Sequence, residues 1–215
     1  DQPLWKRSEA VSASASLLTT KRTSPVPPPA ASMPVKRTAL ERPASRFGST
    51  AAAYEVTICY NYGCAVQAIV KIDADDILQL SLLFADADSA PEERESIRLA
   101  VGYMNRIAGK QTPVFNDKGG NDNEEGVNGR MDCIDHSHSN TGYLHFIEAR
   151  GWLQFHRVLE PIHRAPLLVN DHWSARIEEL GSGEQYAVDT WFLDNGEPAT
   201  IYPVREWLKG AAPHG

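Results

Sequence analysis

Residues 168–192, LVNDHWSARIEELGSGEQYAVDTWF, set two β-prone runs on either side of Gly181-Ser182-Gly183. Branched and aromatic side chains suit strands, and a short glycine-rich link lets the chain reverse. Leu168–Glu178 and Tyr186–Phe192 therefore predict an antiparallel hairpin. Alternation puts Trp173, Ala175 and Ile177 on one face of its first strand and His172, Ser174 and Arg176 on the other. Upstream of Gly151 the period is helical, and downstream of it Trp152–Leu159 predicts a further strand.

The segment from about Ile134 to Ala149 predicts a helix, with Asp132 as its N-cap, Cys133 in its first turn and Gly151 ending it. Earlier, Ile77, Leu80, Leu83 and Phe84 recur at helical spacing behind Asp73 or Asp75 as cap. A second stripe of Ile97, Val101, Met104 and Ile107 follows Pro91, with Glu92 and Glu93 in its first turn. Tyr54–Cys59 predicts a short strand and Tyr60–Gly63 its turn. Residues 116–130 have no period and many turn formers, so they predict a long loop rather than an ordered calcium loop. Asp194-Asn195-Gly196 predicts a turn, and Tyr202–Leu208 a short closing helix. The fold class expected is α+β: a Cys-bearing core helix packed on a small antiparallel sheet, with N-terminal helices.

Composition divides the chain near residue 53. Residues 1–52 hold seven of the 14 prolines and carry eight Lys or Arg against three Asp or Glu, a net charge of +5. The remaining 163 residues carry 13 against 25, a net of −12. A proline-rich stretch with few large apolar side chains cannot offset the entropy lost on ordering, so residues 1–53 are expected to be a disordered basic tail and 54–215 the folded domain. The tail could touch an anionic surface, whereas the domain's acidity argues against a nucleic-acid partner. No apolar run is long enough for a transmembrane segment. A start without Met suggests that a leader has been removed, giving an expectation of an exported or periplasmic protein. Of Cys59, Cys64 and Cys133, the first two are close enough to close a small disulfide loop around Tyr60–Gly63 or to stay as buried thiols.

Cys133 at a helix start is placed where free N–H groups stabilise a thiolate. A nucleophilic thiol needs a base and a group that orients it, and hairpin pairing can bring His172 and Asp189 together for those roles. Gly129-Arg130-Met131-Asp132-Cys133-Ile134-Asp135-His136-Ser137 before a helix, His172-Trp173-Ser174-Ala175 on a strand and Tyr186-Ala187-Val188-Asp189-Thr190-Trp191 on the next resemble the transglutaminase-like family of papain-type cysteine hydrolases. The resemblance covers roughly residues 75–195, with intervals of 39 and 17 residues between Cys, His and Asp. It implies Cys133, His172 and Asp189 as catalytic residues, a peptide or other protein amide as substrate, hydrolysis or acyl transfer through a thioester, and no cofactor.

Two other readings compete. Cys133 and His136, joined by His138 and by His163 or His172, could hold zinc for a metal-dependent hydrolase. Alternatively, Trp152, Trp173, Trp191 and Trp207 could line the cleft of a catalytically silent domain that binds peptide or glycan. His136, His138, Asn140 and His145 form a polar patch around the Cys-bearing helix.

The tail expectation is checked by limited proteolysis. Brief treatment should remove residues up to about 50 and leave the 54–210 core folded. Protection of the tail at the same protease concentration would overturn it.

Overall fold

The structure is a computed structural model, described here for residues 54–165 and 171–213. The tail, and the first residues of the run that begins at Leu168, lie outside the described residues.

The chain opens with a hairpin of β1 (Tyr54–Tyr60) and β2 (Val66–Ile72), antiparallel from Tyr54↔Ile72 to Tyr60↔Val66. Two helices follow. The first, α1 (Ala74–Phe84), is capped by Asp73, whose carboxylate accepts the Asp76 N–H at 2.8 Å. The second, α2 (Ala90–Gln111), has Pro91 in its first turn. A 3-10 turn at Pro113–Asn116 leads through a loop to α3 (Cys133–Ala149). Four antiparallel strands come next: β3 (His156–Arg164), β4 (His172–Glu179), β5 (Gln185–Asp189) and β6 (Thr200–Pro203), lying in that order, and α4 (Val204–Trp207) closes the fold. This is an α+β fold with helices packed against two antiparallel sheets. Among the described residues, no helix is long and apolar enough to cross a membrane.

The core explains the packing. α3 contacts both sheets, meeting β1 on one side and β3 and β4 on the other. Its Tyr143, Leu144 and Ile147 are buried with Ile97, Val101, Met104 and Ile107 of α2, Ile58 of β1 and Ala175 and Ile177 of β4. Each fully buried aliphatic side chain of this kind contributes about 1.5–3 kcal/mol relative to exposure.

Several elements differ from the sequence expectation; the strand expected at Tyr186–Phe192 runs from Gln185 to Asp189. The strand β2 was not expected, although its inward residues Val66, Ala68, Val70 and Ile72 alternate; Ile69, on the outer face, is exposed and blurs the pattern. Residues 200–203 add a fourth strand before a shorter final helix. The strand expected at Trp152–Leu159 starts at His156 instead. Its first residues serve a different purpose: the N–H groups of Gln154 and Phe155 donate to the Glu93 carboxylate at 2.6 and 3.1 Å, and His156 Nδ1 meets it at 2.8 Å. Glu93 is fully buried, and this junction pins α2 to the start of the sheet. His156 Nε2 lies 3.2 Å from Arg94, which also reaches Glu179 at 2.6 Å.

Burial works against a charged Glu93, but the hydrogen bonds from His156, Gln154 and Phe155 outweigh it and hold the carboxyl below the usual carboxylate range. A carboxyl with a depressed folded pKa gives stability that is present above its unfolded pKa and lost as the pH falls through the folded one. Urea denaturation should therefore show stability falling below about pH 4.5, the usual unfolded Glu value. Glu93→Gln should cost roughly 2–4 kcal/mol at pH 7, because the amide cannot accept all three donors, and should flatten that acid limb. An unchanged acid limb in the variant would show that Glu93 is not its source.

Candidate functional site

The site forms where the β1–β2 turn meets the start of α3. Asp132 caps the helix by accepting the Asp135 N–H at 2.9 Å, and Asp135 returns the bond by accepting the Asp132 N–H at 3.1 Å. Asn61, Tyr62, Gly63 and Cys64 are all left-handed, with φ of 68, 65, 61 and 58°. This run points successive N–H groups the same way, forming an anion-holding concavity. Tyr62 and Cys64 donate to Asp135 at 2.8 and 2.7 Å, and Gly63 donates to Asp132 at 2.8 Å. The turn is closed covalently, because Cys59 and Cys64 form a disulfide. Burial and the neighbouring charge of Asp132 push Asp135 up to about 6, against the pull of those N–H groups.

Each sequence-derived site residue can be placed. Cys133 is the first residue of α3 and is half-buried. His172 begins β4 and Asp189 ends β5, and their side chains meet, Nε2 to Oδ2, at 2.6 Å. Asp189 also accepts the Trp207 indole N–H at 3.2 Å and the Trp191 backbone N–H at 3.0 Å. Burial opposes its ionisation, yet His172 and these donors hold it below the usual carboxylate range. The His172 ring sits among Trp191, Phe192 and Trp207, at centroid distances of 5.2, 5.4 and 5.7 Å. Cys133 and His172 both line an open cleft of about 570 Å³, and Asp189 lies behind His172.

His136, expected as a zinc ligand beside Cys133, turns into the protein. Its Nδ1 lies 2.7 Å from Thr190 Oγ1 and its Nε2 3.1 Å from Asp117. Burial works against its charge, but the hydrogen bond and charge of Asp117 prevail and raise its pKa. Asn140 joins the same network through Thr190 at 2.9 Å, whereas His138 and His145 are exposed. Among the described residues, no group of three or more His, Cys, Asp and Glu side chains is placed to hold a metal ion, which removes the zinc reading.

The expectation of a thiol-dependent hydrolase, and with it the description as a cysteine protease or acyltransferase, is also corrected. No hydrogen bond joins the Cys133 thiol to His172 among the described residues. Burial pushes the thiol up, and the charges of Asp132, Asp171 and Asp189 add to this, against a hydrogen bond from the Trp173 N–H. The sequence argument relied on the positive end of a helix. Here that end is capped by Asp132, whose negative charge acts on the sulfur.

Comparison with family models, with curated proteins and with solved structures found no match. The likeness to transglutaminase-like proteins therefore rests on the three motifs alone. Sequence reasoning passed over Tyr62, whose hydroxyl donates to the Asn121 carbonyl and accepts the Glu124 N–H at 3.2 Å, tying the turn to the 116–130 loop. It also passed over Arg164 in the cleft wall. Neither has a local pattern to mark it.

A raised thiol pKa predicts slow alkylation. Iodoacetamide should label Cys133 sluggishly at pH 7, with a rate that climbs only in the alkaline range and is unchanged by His172→Ala. Rapid labelling at pH 6–7 that depends on His172 would reverse the correction.

Proposed function

We propose that residues 54–215 form a peptide-binding domain of transglutaminase-like build that holds its ligand without turning it over. The observation that carries this reading is the lining of the cleft. Aromatic side chains of Tyr62, Trp191 and Phe192 stand with the carboxylates of Asp122 and Asp171, around a thiol whose pKa burial and negative charge raise. Such a lining suits a ligand with cationic side chains, since ammonium and guanidinium groups are attracted both to ring faces and to carboxylates, each ring contact being worth about 0.5–2 kcal/mol. This favours a basic peptide over a glycan, which seldom carries such groups. The excess of acidic residues in the domain would steer a cationic partner towards it. The Cys59–Cys64 disulfide beside the cleft fits an oxidising compartment, so we place the protein among exported ones.

Calorimetry with N-acetyl-Lys-Phe-Lys-amide and N-acetyl-Ser-Phe-Ser-amide tests the reading. The lysine peptide should bind roughly 3–30-fold tighter, with the advantage shrinking in high salt and in Trp191→Ala. Absence of binding by either would sink the proposal. So would mass-spectrometric detection of a cleaved or transferred product that disappears in Cys133→Ser.

A further inference from the structure

Arg164 is the one arginine among the described residues that is buried, at 7% exposure, and it lines the cleft. It ends β3 and sits directly across from His172 in the β3–β4 register. Its Nη1 donates to two backbone carbonyls, of Trp207 and, at 3.2 Å, of Ala211. The guanidinium carbon lies 4.5 Å from the centroid of the Trp207 ring, and Nε is sealed away without a partner. Nη2 has no hydrogen bond among the described residues, and Arg164 is one of the side chains that line the cleft.

Among the described residues, the guanidinium has no anion in an ion pair with it. Arg94, Arg98, Arg130, Arg157 and Arg205 each form an ion pair with a glutamate, whereas Arg164, more buried than any of them, forms none among the described residues. Asp189 is the carboxylate whose charge it feels, but both oxygens of Asp189 are engaged by His172, Trp207 and Trp191. A buried charge whose hydrogen bonds go only to neutral carbonyls is costly unless something completes its shell.

We propose that Arg164 is the receptor for a carboxylate of the bound peptide, either its C-terminus or an acidic side chain. The inference rests on the peptide-binding reading and names the end group that the cleft selects. Arg164 is pre-oriented for this role by the Trp207 and Ala211 carbonyls and by stacking on Trp207, so little side-chain freedom is lost on binding. The ligand would then be dipolar, with cationic side chains towards the aromatic and acidic lining and a carboxylate on Arg164.

The test compares three probes on the 215-residue chain by calorimetry: N-acetyl-Lys-Phe-Lys as the free acid, the same peptide as its C-terminal amide, and N-acetyl-Lys-Phe-Glu-amide. With wild type, the free acid or the glutamyl amide should bind about 10–100-fold tighter than the lysyl amide, and the one that gains identifies the source of the carboxylate. Arg164→Gln should erase that advantage, and Arg164→Lys, which keeps the charge but not the planar fork, should keep part of it, with circular dichroism confirming both folds. Equal affinity of all three probes for wild type would overturn the carboxylate receptor and leave peptide binding standing, whatever the variants do. Failure of all three to bind would remove both.

Discussion

Three backbone N–H groups of a left-handed turn, closing on two carboxylates at the head of α3, hold the site together. A left-handed conformation costs roughly 1–2 kcal/mol at each residue with a side chain, and Asn61, Tyr62 and Cys64 all adopt it. Hydrogen bonds to charged acceptors, each worth about 1.5–3 kcal/mol, offset that cost. The disulfide removes the alternative of an open turn, and Ser139 of α3 accepts the Cys59 N–H at 3.0 Å. The first hairpin is thereby fixed to the helix, and Tyr62 is carried to the cleft wall. Without this clamp, the cleft would lack the side formed by Tyr62 and by the loop that its hydroxyl secures.

The same clamp sets the electrostatics. Asp132 accepts a free N–H of the first turn and at the same time sets its negative charge beside Cys133. A helix start is therefore not by itself a thiolate site: the sign of the field at the sulfur depends on what already caps the helix. The buried His136–Asp117 pair behind α3 adds a second constraint, since it draws the polar inner face of the helix towards Thr190 and the loop beyond β5. This accounts for a core helix with His136, Ser137, Ser139 and Asn140 buried where an apolar stripe would be expected.

Legibility in the sequence followed the range of the interaction. Asp73, Pro91 and Asp132 mark their helix starts through contacts made within a few residues, so α1, α2 and α3 could be read directly. The β4–β5 pairing, and the meeting of His172 with Asp189, followed from a glycine turn and a period of two. The start of β3 could not be read, because its N–H groups answer Glu93, more than 60 residues earlier. His136 was misjudged for the same reason. Its spacing from Cys133 is local, while its true partners, Asp117 and Thr190, lie on separate loops. Arg164 is the extreme case, since its significance is the lack of an ion pair among the described residues, and no spacing in a sequence records that.

These constraints give the cleft its polarity. Negative charge gathers at Asp132, Asp122 and Asp171, of which Asp132 and Asp171 raise the thiol; among the described lining residues, positive charge is confined to Arg164, stacked on Trp207. Asp189 acts on Arg164 through its charge, but its oxygens are bonded to His172, Trp191 and Trp207 and form no ion pair with Arg164. A ligand that answers both poles would relieve together the crowded carboxylates and a guanidinium without an ion pair among the described residues. A ligand of either sign alone would satisfy one pole and be repelled by the other. Selectivity for a dipolar ligand would then come from groups the fold already requires, because the cap that orders α3 and the donors that hold Asp189 are structural before they are recognition elements.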